Sequence, residues 1–302
     1  MLRRSAWAAI AIAVLSTVCI LGAAPPMRAR AALTPEQRKA IVYNSYAGVD
    51  WPRLGEPKPG EWLSVCAEPG RTYAEYVRTA RNLKSATRDT IYLMPVGRMD
   101  RESRRTVRLM AEFAHVFFDS TVTVLPPVKL PHEAYAPRRG QYDAAAILNR
   151  MACQVPDDAL ALVGVTTADL YCGGLEFAFG LASLDRRVAI CSPRRYGTPG
   201  TSQYLHRTLK NFAHETGHVL GLRHCIFYRC CMNGSNSLAE SDGQPLHYCP
   251  LCHDKLRHAL GFDPDERFDA LASFHNTIGF TDDARLARER RASLGALAKE
   301  EP

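Results

Sequence analysis

Three histidines and a glutamate within residues 214–224 are the residues whose types and spacing most directly suggest chemistry. The stretch reads HETGHVLGLRH, from His214 to His224. On a helix, residues four apart share a face, so His214 and His218 are predicted to offer their imidazoles to one metal ion. Gly221 can take the backbone conformation that ends a helix, and the turn that follows is predicted to bring His224 back as a third ligand. Three histidines leave a fourth position for water, the arrangement of an open, catalytic zinc site.

Glu215, next to the first histidine, is predicted to act as a general base without binding the metal. Zinc lowers the pKa of a water ligand to about 7, and a carboxylate beside that water can take its proton while a peptide carbonyl is attacked. The alternative is a polar helix without metal, which the fixed offsets of Gly221 and His224 disfavour. The other histidines lack such spacing and are predicted to be surface or core residues; they are His115, His132, His206, His247, His253, His258 and His275.

Two cysteine pairs follow the histidines, Cys225-x4-Cys230 and Cys249-x2-Cys252. Four thiolates at this spacing fit a closed tetrahedral zinc site, which stabilises a loop instead of doing chemistry. The softness of sulfur favours zinc over calcium or magnesium. Two disulfides are the alternative, and export would favour them. Cys231 could replace its neighbour Cys230 in the site or remain free.

The elements that must position these residues alternate along the chain. Strands are predicted at residues 90–95, 121–125, 160–165, 177–181 and 188–191. Helices are predicted at residues 101–118, 142–151 and 202–222. This order implies a mostly parallel sheet with helical crossovers. Residues 32–87 are typical of loop with short helices, the clearest at 73–82, and residues 282–302 of an exposed helix or frayed end.

Most of the basic charge lies near the N-terminus. Hydrophobic residues make up 46% and charged residues 23% of the chain, which excludes a wholly disordered or multi-span membrane protein. Residues 1–33 hold four arginines and no acidic residue, so the remainder carries about +3 of the net charge of +7. An apolar run at residues 6–24 after two arginines is typical of a secretory signal, with an uncleaved membrane anchor or a buried apolar helix as alternatives. We expect a periplasmic or secreted protein, or one anchored to the membrane by this segment, and no nucleic-acid partner.

Together these motifs resemble the archaemetzincin family of zinc metallopeptidases. The matching pattern is HExxHxxGxxHC-x4-C-x-M followed by CxxC, and the resemblance runs over residues 90–262, with weaker echoes at residues 60–63 and 68–70. It implies a metzincin-like α+β fold with a mixed, mostly parallel sheet, crossover helices and a long active-site helix. It also implies an antiparallel edge strand near residues 177–181 and a small zinc-bound C-terminal subdomain.

The resemblance further implies two zinc ions per chain, one catalytic and one structural. Met232 would form the methionine turn beneath the catalytic zinc. The ligands of the structural zinc would be Cys225, Cys230, Cys249 and Cys252. In metzincins the edge strand pairs with an extended peptide substrate by strand addition, and Asp169 and Tyr171, which precede that strand, are expected to be structural.

The predicted organisation has four parts. They are residues 1–31, a signal peptide or membrane anchor; residues 32–87, an N-terminal extension; residues 88–262, the metallopeptidase domain, with a sheet subdomain to about 224 and a cysteine–zinc subdomain from 225; and residues 263–302, a C-terminal helical tail. Outside the four predicted thiolates, Cys66, Cys153, Cys172 and Cys191 are expected to be free thiols, or to include one disulfide among the last three if the protein is exported.

The sequence therefore predicts a zinc-dependent metallopeptidase that hydrolyses peptide or protein substrates. It leaves open whether cleavage is internal or from an N-terminus. The alternative function is a peptide-binding or scaffold protein that keeps its metals but turns over poorly.

Overall fold

The protein is described by a computed structural model that covers residues 33–297. Its strands are, in chain order, β1 (Thr90–Val96), β2 (Thr121–Val124), β3 (Tyr135–Ala136), β4 (Gln141–Asp143), β5 (Ala159–Thr166), β6 (Leu170–Tyr171), β7 (Gly180–Ser183) and β8 (Val188–Cys191). Its helices are α1 (Pro35–Ser45), α2 (Trp62–Val65), α3 (Tyr73–Thr79), α4 (Arg101–Phe118), α5 (Ala144–Ala152), α6 (Ser202–Val219), α7 (Leu238–Asp242), α8 (Pro250–Leu260), α9 (Pro264–Thr277) and α10 (Thr281–Leu297).

The predicted leader, residues 1–31, lies outside the described residues. Over residues 33–297, none of these helices combines the length and apolar character that crossing a membrane requires.

Five strands form the main sheet, in the order β2–β1–β5–β8–β7. β1 pairs in parallel with β2 and β5, and β5 pairs in parallel with β8. β7 runs antiparallel to β8 and lies at the edge of the sheet. The predicted mixed, mostly parallel sheet of an α+β protein is therefore confirmed. A smaller sheet joins β3, β4 and β6.

Helices cover both faces of the main sheet. Phe113 of α4 and Phe212 of α6 belong to the core on one face, and Ile147 of α5 belongs to the core on the other. Successive residues of β5, Leu162 and Val163, enter the two cores in turn, as the alternation of a strand requires. A strand covered on both faces reads as a continuous apolar run, which explains why all of β5 is buried.

The edge strand begins later than predicted. The sequence indicated residues 177–181, whereas β7 begins at Gly180. Phe177 and Phe179 pack against each other with ring centroids 5.1 Å apart, and Phe179 also packs on Tyr196. The alternating apolar residues that suggested a strand therefore form an aromatic cluster in the loop before β7, and the predicted start was wrong.

Two helices also differ from prediction at one end. Helix α6 ends at Val219 instead of residue 222, because Gly221 adopts a left-handed conformation with φ +84°. Helix α5 begins at Ala144 instead of residue 142, because the Asp143 carboxylate accepts the amide of Ala145 and caps the helix.

The segments before and after the sheet pack onto it. Trp51 and Tyr76 of the N-terminal segment are buried in the same core as α4 and α6. At the other end, α10 packs along α9, and Ala284 and Ala287 are buried. Many residues of α10 are exposed, and on its inner face the small residues Ala284 and Ala287 allow close packing.

Candidate metal centres

Helix α6 positions two of the predicted ligands. Thr201 caps its first turn, and His214 and His218 lie one turn apart near its C-terminal end. Gly217 between them has no room for a side chain: an added Cβ would lie 2.4 Å from the Tyr248 hydroxyl and 2.6 Å from the sulfur of Met232. The helix therefore rests directly on Met232, which is fully buried.

The turn after α6 brings the third histidine back. Gly221 supplies the left-handed conformation that reverses the chain. The N-terminal segment satisfies the carbonyls left unpaired at the helix end: Tyr76 Oη donates to Leu220 O at 2.8 Å, and Arg71 Nη1 donates to Gly221 O at 2.8 Å. Residues far earlier in the chain thus fix the turn that places His224.

All three imidazoles are held through Nδ1. His214 Nδ1 donates to Cys231 O and His218 Nδ1 donates to Leu222 O, each at 2.8 Å, because a carbonyl oxygen can only accept. His224 Nδ1 lies 2.5 Å from Glu68 Oε1. The donor atoms of the three rings lie within 4.8 Å of one another.

The unprotonated nitrogens of the first two rings face each other. His214 Nε2 and His218 Nε2 are 3.0 Å apart. Burial and the neighbouring histidines lower the pKa of His214 well below its usual value, and burial and then His224 lower that of His218 to about 4. Both rings are therefore neutral, and two lone pairs meet without a proton between them. This arrangement repels unless a cation binds to both nitrogens, so the residues present fit a zinc ion.

Glu215, on α6, lies with its carboxylate against the edge strand. It is 7% exposed, and burial raises the pKa of its carboxyl to about 8. A Cβ added at Gly180, the first residue of β7, would lie 2.6 Å from Glu215 Oε1. The carboxylate of Glu215 therefore lies beside the first residue of the edge strand.

Four cysteines form a second, fully buried group. The structure brings together the sulfur atoms of Cys225, Cys230, Cys249 and Cys252 within 4.8 Å of one another. Cys225 Sγ and Cys249 Sγ are 3.7 Å apart, too far for a disulfide and close to the ~3.8 Å that two sulfurs show around a tetrahedral zinc with Zn–S bonds of about 2.3 Å. Burial, and then the hydrogen bonds of neighbouring thiols, raise the pKa of Cys249 well above its usual value. Four charged sulfurs held this close together in a buried site would need a cation to balance their charge.

The cysteine doublet divides between two environments. The backbone amides of Met232 and Cys249 donate to Cys230 Sγ, at 3.4 and 3.2 Å, within the four-sulfur group. Cys231 Sγ instead donates to Lys210 O at 3.3 Å, and burial raises the pKa of its thiol. The structure thus places Cys230 with the other three sulfurs and turns Cys231 away.

The remaining cysteines of residues 33–297 are unpaired. Cys191 is buried, Cys172 is half-buried and Cys153 is exposed. Within residues 33–297 the structure joins no two of these three by a disulfide: Cys153 follows α5, Cys172 follows β6 and Cys191 ends β8.

Three residues at the site have no place in the sequence motif. Glu68 Oε1 contacts His224 Nδ1 and accepts Trp62 Nε1 at 2.6 Å. The indole of Trp62 lies edge-on to the imidazole of His224, with centroids 5.2 Å apart. Glu240 accepts the backbone amide of Trp62 at 2.8 Å. The family echoes at residues 60–63 and 68–70 are the signal for the first two, and the family resemblance at residues 237–242 is the signal for Glu240.

Asp169 belongs to neither of the two candidate metal-binding groups. Its carboxylate pairs with Arg195 at 2.6 Å and accepts Gln141 Nε2 at 3.1 Å. These contacts join the loop before β6 to β4 and to the loop after β8, which is a structural role.

Comparison with known proteins places this arrangement in context. The model of "Peptidase family M54" matches residues 99–258. Archaemetzincin-2 of Rattus norvegicus is 31% identical over 257 residues, covering 71% of this chain and 72% of that protein. Archaemetzincin of Archaeoglobus fulgidus is 34% identical over 168 residues, covering 56% of this chain and 99% of that protein. The crystal structure of archaemetzincin from Methanopyrus kandleri aligns with a TM-score of 0.53 and 31% identity, covering 59% of this chain and 99% of that chain.

Proposed function

The chain belongs to peptidase family M54, the archaemetzincins, and is a metallopeptidase; on this premise we propose which of its residues carry the reaction. We propose His214, His218 and His224 as the ligands of a catalytic zinc and Glu215 as the general base. Cys225, Cys230, Cys249 and Cys252 are the proposed ligands of a structural zinc, with Met232 as the turn beneath the catalytic site.

The observation that carries the proposal is the convergence of imidazole nitrogens. Each Nδ1 is engaged by an oxygen, so each ring directs Nε2 to a common point. A zinc ion held there supplies a Lewis acid and a nucleophile at neutral pH. Three nitrogen ligands leave a coordination position open, which distinguishes a catalytic site from a structural one.

Glu215 is the residue that we propose to move the proton. Its buried carboxylate accepts a proton from the attacking water and delivers it to the amine that leaves when the peptide bond breaks. Burial alone raises its pKa to about 8, and the positive charge of a bound metal acts in the opposite direction. The contact with Gly180 fixes the carboxylate next to the edge strand.

The substrate is proposed to bind along β7. This strand is at the edge of the sheet and half-buried along its length, so one row of backbone groups can pair with an extended peptide. Asn211 Nδ2, on α6, donates to Phe179 O at 3.0 Å and ties the start of this edge to the helix that carries the ligands. A substrate strand paired here passes beside Glu215.

The experiment is a peptide-library digest with the zinc-loaded protein and its Glu215→Gln variant. Losing the base is expected to lower the cleavage rate by about 100-fold or more, while both zinc ions remain bound. Glu112→Gln, which removes an exposed carboxylate from α4, is the matched control and is expected to cleave like the wild type. Equal cleavage by wild type and Glu215→Gln would contradict the assigned base, and no cleavage by zinc-loaded wild type would favour the peptide-binding alternative.

We also propose that residues 1–31 export the protein to the periplasm or outside, or anchor it to the membrane. The apolar run at residues 6–24 after two arginines supports this proposal. N-terminal sequencing of the mature protein tests it: a start within residues 23–33 supports cleavage after export, whereas an intact Met1 in a membrane fraction supports the anchor.

A further inference from the structure

The three imidazoles are not held alike. His214 and His218 are each held by a backbone carbonyl within the same part of the fold, on Cys231 and Leu222. His224 is held by a carboxylate, Glu68, which comes from 156 residues earlier in the chain. A carboxylate is a stronger acceptor than a carbonyl, because it carries a full negative charge.

A second donor fixes the carboxylate in place. Trp62 Nε1 donates to Oε1 of Glu68, the same oxygen that contacts His224 Nδ1. The indole also packs edge-on against the His224 imidazole. Trp62 therefore orients both members of the pair, and the Glu68 side chain is 17% exposed beside an imidazole that is 11% exposed.

The segment that carries these residues, the Gly60–Gly70 strap, is fastened at both ends. At its start, Asn236 Nδ2 donates to Gly60 O at 3.2 Å and Glu240 accepts the amide of Trp62. At its end, Gly70 has φ +65°, and an added Cβ would lie 2.6 Å from Ile226, just after the third histidine. The strap therefore cannot shift without moving the segment that follows His224.

The strap lies outside residues 99–258, which the family model matches. We propose that Glu68 is a positioning residue for the catalytic site, supported by Trp62, and that the N-terminal segment thereby supplies the outer contact of the third zinc ligand. This inference rests on the proposed function, since it assigns His224 as a ligand.

The physical reason lies in the tautomer of His224. An ionised Glu68 accepts the proton on Nδ1, which leaves the Nε2 lone pair directed at the other two histidines. The negative charge also makes the imidazole a better donor to a cation, and outer partners of this kind typically change metal affinity by about 10–100-fold. Without Glu68, the ring can flip or adopt the other tautomer, and the site keeps only two fixed ligands.

The test compares zinc affinities of the full chain, measured by competition with a chromogenic chelator. Wild type is expected to hold two zinc ions. Glu68→Ala is expected to bind the zinc at the histidines about 10–100-fold less tightly, with the zinc at the cysteines unchanged. Glu68→Gln keeps an accepting oxygen but loses the charge, so its affinity is expected to fall between the two. Glu56→Gln removes an exposed carboxylate from the N-terminal segment, just before the strap, and is expected to match the wild type.

A spectroscopic readout separates positioning from folding. Nitrogen NMR of the histidine rings in the metal-free chain is expected to show His224 protonated on Nδ1 in wild type and Glu68→Gln. In Glu68→Ala, the same ring is expected to populate the Nε2-protonated form. Trp62→Phe keeps an aromatic ring but removes the indole donor, and is expected to weaken zinc binding less than Glu68→Ala does.

The outcomes are distinct. Zinc affinity of Glu68→Ala and Glu68→Gln within twofold of wild type would overturn the inference, even if peptide cleavage proceeds as proposed. If Glu68→Ala does not fold, Glu68→Gln decides: a loss of affinity beyond that of Glu56→Gln supports the role of the charge, and no loss overturns it. A wild type that binds a single zinc, at the cysteines, would instead contradict the proposed function itself.

Discussion

The two candidate metal centres use opposite strategies with residues only a few positions apart. The histidines are half-buried, number three and converge on a point that other atoms can still reach, whereas the four cysteine sulfurs are completely buried. Three nitrogen donors leave room for substrate, but four sulfur donors close the coordination shell. The histidine site can therefore be reactive because it lacks the fourth protein ligand that the cysteine site has.

The two centres also differ in what they hold together. His214 and His218 belong to one helix, so a metal between them adds little to the connectivity of the fold. Cys225 and Cys230 lie in the loop after α6, while Cys249 and Cys252 lie at the start of α8. A metal between the pairs joins two separate segments, and we expect its loss to affect stability much more than loss of the histidine-bound metal.

The two centres are coupled through the segment between them. The carbonyl of Cys231, beside Cys230, accepts His214 Nδ1, and the next residue, Met232, packs under Gly217 of α6. Loss of the metal at the cysteines is therefore expected to disturb the histidines. Loss of the metal at the histidines is expected to disturb the cysteines much less. The predictions below test this asymmetry.

The largest effect is expected from Cys252→Ser. Removing one sulfur should release the structural zinc, lower the zinc content from two per chain to one or fewer, and destabilise the fold by about 4–5 kcal/mol or more. Metal analysis and thermal unfolding measure both quantities. Cys153→Ser, which changes an exposed thiol, is the control and is expected to leave both unchanged. An unchanged zinc content in Cys252→Ser would contradict the four-sulfur site.

A smaller effect is expected from Gly217→Ala, which tests the contact between the two regions. The added methyl group would press on Tyr248 and Met232, at 2.4 and 2.6 Å, so helix and loop must separate. Overpacking of this kind costs about 1–3 kcal/mol, and the displaced Met232 loop should also loosen His214 and slow cleavage. Denaturant unfolding and peptide cleavage measure the two effects.

Gly55→Ala is the matched control for this substitution. Gly55 has no atom within 4 Å of an added Cβ, so the variant is expected to stay within about 0.5 kcal/mol of wild type. If Gly217→Ala were as stable and active as Gly55→Ala, the proposed support of the histidines by the methionine turn would be wrong.

The parts of these centres that could be predicted from the sequence are those set by local spacing. His214 and His218 share a helical face by periodicity alone, and Gly221 signals the turn that the structure shows at φ +84°. The parallel sheet follows equally from the alternation of strand and helix patterns. In each case the interacting residues are close together in the sequence or obey a fixed period.

Contacts between distant segments could not be predicted in this way. Glu68 contacts His224 across 156 residues, and no spacing rule relates two positions so far apart. The start of β7 was misplaced for a related reason: Phe177 and Phe179 alternate as strand residues do, but their packing on Tyr196, from another loop, decides their conformation. Tertiary packing overrides local pattern at both places.

The smallest effect is expected from Cys231→Ser, which tests whether Cys231 lies outside the four-sulfur site. Its sulfur donates to Lys210 O, away from the four-sulfur group, and a serine hydroxyl can keep that hydrogen bond. We expect two zinc ions per chain and a stability within about 1 kcal/mol of wild type, because one buried thiol is exchanged for a smaller donor. The neighbouring Cys230→Ser should instead behave like Cys252→Ser, since Cys230 accepts two backbone amides inside the group. The opposite result, with zinc lost in Cys231→Ser and kept in Cys230→Ser, would show that Cys231 is the fourth ligand of the cysteine site. The same residue would then bind the structural zinc through its sulfur and hold His214 through its carbonyl.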